Sequence, residues 1–147
     1  MENSLNKTAA SATLHCLTGC AIGEVLGMIV STSLGWPSMP SIILSIILAF
    51  IFGYALSIRP LIKHGLSFNK SMRLAFASDT ASITTMEIVD NLFILAVPGA
   101  IYAGLNSGLF WVSLALSLVV AFAVAYPLNR YLIKRGKGHA VVHKYHH

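Results

Sequence analysis

Four apolar runs, each about as long as a bilayer core is thick, leave this chain few ways to fold. The first extends from about Leu14 to Leu34, and the second from about Ile42 to Ile58, between Pro40 and Pro60. The third extends from about Leu74 to Gly104 and contains Pro98, and the fourth from about Leu109 to Ile133 with Pro127 near its end. A membrane-spanning helix takes roughly 20 apolar residues. The third run is longer, which predicts a tilt or a kink near Pro98. Charged residues make up only 10% of the chain, against about 25% in a soluble domain, and the mean hydropathy is +0.74. The fold class expected is all-α: an integral membrane bundle of four transmembrane helices over residues 14–133. A polar N-terminal segment, 1–13, would precede it, and a basic, His-rich tail, 134–147, would follow. The opening residues lack the basic stretch and apolar core of a cleavable signal, so the first run reads as a retained helix.

The basic residues orient the bundle. Lys7 precedes the first run; Arg59, Lys63, Lys70 and Arg73 flank the loop between the second and third. Arg130, Lys134, Arg135, Lys137 and Lys144 follow the fourth, which completes the 10 Lys and Arg. The loops around 35–40 and 104–108 have none. The positive-inside rule then predicts a multi-pass protein of the cell inner membrane with both termini cytoplasmic. Trp36 and Trp111 fall near the outer boundary, where aromatic anchors sit. The net charge of +5 follows from this topology, so the partner it implies is the lipid bilayer, and nucleic acid is excluded.

The acids are out of place by the same logic. Glu24, Asp79, Glu87 and Asp90 all lie inside apolar runs. A charge at the bilayer centre costs roughly 2.5–3.5 kcal/mol on insertion scales, so such groups mark ion, proton or metal sites.

In the first helix Cys16, Cys20, Glu24 and Met28 are spaced four apart and form one stripe, with His15 beside it. Gly19, Gly23 and Gly27 form an adjacent small-residue track that admits a close neighbour. Thiolate and thioether suit copper(I) or zinc, imidazole suits most late transition metals, and carboxylate suits harder ions. Packing alone would also account for the cysteines. They are expected as free thiols, near the reducing side.

In the third helix Asp79, Met86 and Asp90 fall within about 40° on a helical wheel, flanked by Ser82 and Glu87. The opposite face holds Ala77, Thr84 and Ile88. Depth along the two helices predicts two tiers. A cytoplasmic tier would hold His15, Cys16, Cys20 and Asp79; a mid-membrane tier would hold Glu24, Met28, Met86, Glu87 and Asp90. Three acids at one depth cannot all stay ionised in apolar surroundings: a cation neutralises them or they hold protons. A purely structural hydrogen-bond network is the alternative. The second and fourth helices read as scaffold facing lipid, with Asn129 and Arg130 at the exit of the fourth, and His64 as solvated. The tail holds His139, His143, His146 and His147, a composition that can capture metal.

The pairing of His-Cys-x-x-Gly-Cys-x-x-Gly-Glu, from His15 to Glu24, with the Asp79-to-Asn91 pattern of Asp, Glu and Asp-Asn resembles a family of short prokaryotic membrane proteins grouped as a domain of unknown function. The resemblance runs from about His15 to Ile133 and implies a four-helix membrane domain, in some members with His-rich ends. It supplies no activity.

The residues together predict a transition-metal transporter or channel subunit, the ion being copper, zinc or iron. Its metal ligands would be His15, Cys16, Cys20, Glu24, Asp79, Met86, Glu87 and Asp90. A homo-oligomer is expected, with the polar faces of the first and third helices turned inward. The alternatives are a membrane-embedded metalloenzyme or redox protein, for which the Glu-x-x-His pattern of di-metal bundles is missing, and a proton-conducting or assembly subunit without metal.

Overall fold

The computed structural model describes residues 2–63 and 65–135. They form four long α-helices: α1 (Glu2–Leu34), α2 (Ser38–Lys63), α3 (Phe68–Ala96) and α4 (Gly108–Lys134), with a short 3-10 turn at Ala100–Tyr102 before α4. His64 and the His-rich tail lie outside the described residues. Three of the helices, α1, α2 and α4, are long and apolar enough to cross a membrane. At 29 residues α3 is of similar length, but its run of Ser, Thr and acids makes it more polar.

Helix ends follow the local sequence. Gly35 and Gly65 close α1 and α2 with positive φ of 68° and 90°. In each case the next residue's N–H reaches back to the carbonyl five before it, Trp36 to Ser31 and Leu66 to Leu61, the hydrogen bonding of a Schellman cap. Ser67 caps α3 by accepting from the Lys70 N–H, and Ser107 caps α4 by accepting from the Leu109 N–H.

The third helix is shorter than its apolar run. The run to Gly104 predicts a helix kinked at Pro98, but α3 stops at Ala96. Val97, directly before the proline, is extended at φ −86°, ψ 118°, the conformation that the ring of Pro98 favours in its predecessor, although Arg59 and Tyr126 stay helical before Pro60 and Pro127. Gly99, at φ +79°, then reverses the chain into the 3-10 turn. Pro40 and Pro60, expected as the boundaries of the second run, instead lie inside α2. Pro40 falls in the first turn, where its missing N–H removes no helical hydrogen bond.

Small residues set the packing. Gly19, Gly23 and Gly27 lie against Gly53, Ala49 and Ser45 of α2. One index climbs by four as the other falls by four, so α1 and α2 are antiparallel. A Cβ on Gly19 would stand 2.7 Å from the Gly53 Cα, and one on Gly23 would stand 2.7 Å from the Leu48 carbonyl carbon. The glycine track does what its spacing predicts. The α2 side was not foreseen: Ser41, Ala49, Gly53, Ser57 and Leu61 are buried, while Ile43, Ile47 and Ile51 are exposed. Only one face of α2 is therefore available to lipid. In α4 the buried stripe is Ser113, Ser117, Ala121, Ala125 and Asn129, again four apart. The helices follow one another around a ring, and α1 and α3 also meet across its centre. One end of the bundle collects the start of α1, the end of α2, the start of α3 and the end of α4, with the basic residues.

Candidate functional site

On α3 the buried face carries Ser78, Asp79, Ser82, Met86, Glu87 and Asp90, and Ala77, Thr84 and Ile88 are exposed on the other. The expected polarity of this helix is therefore present, and it points into a single chain.

Toward the basic end, Asp79 is fully buried and takes two hydroxyl donors. Ser57 of α2 donates to Oδ2, and Ser78 donates to Oδ1 at 2.8 Å. His15 Nε2 lies 3.0 Å from the Ser57 Oγ. Because Ser57 spends its one hydrogen on Asp79, its oxygen is left to accept from the imidazole. A continuous path of hydrogen bonds thus joins His15, Ser57 and Asp79 across three helices. Cys16 lies against Asp79 and Ser82. Alongside, Asn129 Nδ2 donates to Thr13 Oγ1 at 2.9 Å and to Ser82 Oγ at 3.0 Å, tying α4 to α1 and α3. Its neighbour Arg130 donates to Asn6 at 2.7 Å. Asn129, at the exit end of the fourth helix as expected, is thus a buried tie.

A dry layer follows. Cys16, Cys20, Ala49, Ile83, Met86, Ala121 and Ala125 pack into one buried cluster, both cysteines being free thiols.

Beyond it stand the remaining acids. The Glu24 carboxyl comes within hydrogen-bonding reach of Asp90, with Glu87 beside the pair. Ser117 of α4 donates to Asp90 Oδ1, and the same hydroxyl also lies 2.8 Å from the Leu114 carbonyl. Asn91 donates to the Glu87 carbonyl at 2.8 Å. One oxygen on each acid, Glu24 Oε2, Glu87 Oε1 and Asp90 Oδ2, is buried without a hydrogen-bond partner among the described residues. The nearest basic residue on α3 is Arg73, about 21 Å down the axis from Glu87. A cavity of about 280 Å³ opens from the other end of the bundle and reaches Glu24, past Trp36, Ser41, Ser45, Met28 and Asn91.

Glu24, Glu87 and Asp90 thus meet as their matched depth predicts, and His15 and Asp79 share a neighbourhood through Ser57. Two placements differ. Cys20, expected with His15, lies against Glu87, because four residues of rise carry it about 6 Å further along the axis than Cys16. Met86, expected among the acids, is packed in the dry layer at 1% exposure. Among the described residues no three or more His, Cys, Asp and Glu side chains are arranged to hold a metal ion. Sequence reasoning missed Ser57, Ser117 and Thr13, and named Asn129 without its role as a tie. The four-residue spacing of small side chains in α2 and α4 was the signal that could have found the two serines and the role of the asparagine.

No curated protein and no solved structure matches the chain. Residues 5–138 match the family described as a domain of unknown function (DUF4396). Since that match runs from the first turns of α1 past the end of α4 and takes in Glu24, Asp79, Glu87 and Asp90, the chain belongs to the DUF4396 family.

Proposed function

We propose that this chain is a transport protein of the inner membrane that binds a cation at Glu24, Glu87 and Asp90 and passes it across the bilayer. One observation carries the reading: three carboxylates converge, each with a buried oxygen that has no hydrogen-bond partner among the described residues, and one of them, Glu24, lines a cavity. Acceptors that converge on one another are satisfied by a positive group between them. On this reading α3 is the fourth span, at about 43 Å more than long enough, with both termini cytoplasmic. Its acids are shielded from lipid by α1, α2 and α4.

The cargo follows from what surrounds the acids. Cys20 against Glu87 and Met28 beside Glu24 offer soft donors to a transition metal such as copper, zinc or iron. The approach of Glu24 to Asp90 favours a second cargo, a proton, which would bridge the two carboxyls without further ligands. The burial of the acids needs no second subunit, so homo-oligomerisation is a separate proposal, read from the mass of the detergent-solubilised protein.

Flux into proteoliposomes tests the function. Glu87→Gln and Asp90→Asn keep size and some hydrogen bonding but remove the charge, and each should abolish uptake of metal and of protons. Cys20→Ser should abolish uptake only of a soft metal, since oxygen replaces thiolate poorly there. Unchanged flux in the acid variants would show the cluster to be structural.

A further inference from the structure

The cavity that reaches Glu24 lies toward the end of the bundle away from the basic residues. Its rim is Trp36 and Tyr102, in the two connections that carry no Lys or Arg. Its walls come from α1, α2, α3 and the start of α4, and the acid among its lining residues is Glu24. Thr32, Ser41 and Ser45 line the way with hydroxyls. Ser41 gives its hydrogen to the Pro37 carbonyl at 2.8 Å, which leaves its oxygen lone pairs to face the cavity as acceptors. About 280 Å³ is room for roughly nine waters at ~30 Å³ each. A cation therefore fits with its first hydration shell and need not be stripped at the mouth. Past Glu24 the way is closed, because the layer of Cys16, Cys20, Ile83, Met86, Ala121 and Ala125 is packed and dry.

We infer that this cavity is the access vestibule for a hydrated cation, open on the face away from the basic residues, and that Glu24 is the first carboxylate the ion meets. The chain is thus in a conformation open to one side only, the passage to the basic side being shut by the sulfur-containing layer. The inference rests on the cation-binding reading of the acids, but its test does not depend on transport.

The test is chemical access to single introduced thiols in the full chain in sealed, oriented proteoliposomes. Thr32→Cys reports the rim and Met28→Cys the floor. Ser45→Cys, across the cavity on α2 and level with Gly27, repeats the floor measurement should Met28→Cys fold poorly. The probes are membrane-impermeant methanethiosulfonates of opposite charge. Met28→Cys should react from the side opposite the basic termini, with the cationic probe faster by on the order of tenfold, because a wall of one charge concentrates the opposite ion. Adding Glu24→Gln should bring the two rates within about twofold. The native Cys16 and Cys20 should stay unmodified from either side. The inference falls if Thr32→Cys reacts while both floor thiols are inert, if the floor reacts from the basic side, or if the anionic probe keeps pace with the cationic one. Selective access without flux would instead remove the transport reading and keep the vestibule; flux with inert floor thiols would do the reverse.

Discussion

Gly19→Ala should destabilise the bundle by about 2 kcal/mol, and the figure can be built from the geometry. The new methyl would stand 2.7 Å from the Gly53 Cα and 2.8 Å from its nitrogen, where carbon atoms prefer roughly 3.5–4.0 Å. Both obstacles are backbone, so no rotamer change relieves the contact, and α1 must move off α2 by about 0.8 Å. Overpacking costs about 1–3 kcal/mol, with a backbone obstacle at the upper end. Alanine returns up to about 1 kcal/mol as the better helix former, which leaves about 2. Gly27→Ala differs in kind, because the methyl meets Ser45 Oγ and Cβ as well as its Cα. Ser45→Gly should therefore recover about 1 kcal/mol of that loss through coupling between contacting sites. Gly104→Ala is the control, since nothing lies within 4 Å of its new methyl; its effect should stay within about 0.5 kcal/mol. Reversible denaturation in mixed micelles measures all of these. If Gly19→Ala proves neutral or stabilising, or if Ser45→Gly gives Gly27→Ala no relief, the glycine track does not bring α1 and α2 into backbone contact and the packing argument is wrong.

Other outcomes follow from the site. Ser117→Ala leaves Asp90 without its hydroxyl donor and Ser57→Ala leaves Asp79 with Ser78 as its remaining one, and each should cost about 1–3 kcal/mol by the same denaturation assay; a double variant much less costly than the sum would show that the two serines do not act at separate acids. Asn129→Leu removes the amide that joins Thr13 and Ser82 and should lose about 2–3 kcal/mol, whereas an unchanged midpoint would mean the tie does not hold α4 in place. In the folded protein Cys16 and Cys20, at 0% and 3% exposure, should resist maleimides until denaturant is added, and prompt labelling would contradict the closed layer. Lys144→Cys in sealed cells should be labelled only after the membrane is permeabilised, and labelling from outside would overturn the proposed orientation.

The parts of this structure that were legible in the sequence are those where a rare residue type had to sit where it did. Acids in apolar runs must be buried together, so the convergence of Glu24, Glu87 and Asp90 could be read from depth alone. The glycines of α1 likewise announced a close neighbour. What stayed hidden was carried by serine. Ser57 and Ser117 hold the two buried aspartates, yet in a membrane helix a serine can satisfy itself on its own backbone, as Ser31 does on the Gly27 carbonyl, so its presence does not demand a partner. The four-residue rhythm in α2 and α4 was visible but lay among so many Ile, Leu and Val that both helices read as greasy cylinders. The end of α3 was misjudged because apolar length was weighed above the Pro98–Gly99 pair, where Gly99 at positive φ reverses the chain.

Serine's self-sufficiency also bears on what a cation would change on arrival. Ser117 has one hydrogen and two acceptors in reach, Asp90 Oδ1 and the Leu114 carbonyl. Ser78 stands in the same position between Asp79 Oδ1, at 2.8 Å, and the Ala75 carbonyl, at 3.1 Å. Were positive charge to occupy the carboxylate, the hydroxyl could rotate its hydrogen back to its own helix and turn a lone pair toward the newcomer, so it would lose no hydrogen bond. Were the charge to leave, the reverse rotation would cover the acid again. Each aspartate thus has a reversible companion that exchanges donor for acceptor by a single torsion, which would flatten the energetic steps between the loaded and unloaded forms of the site.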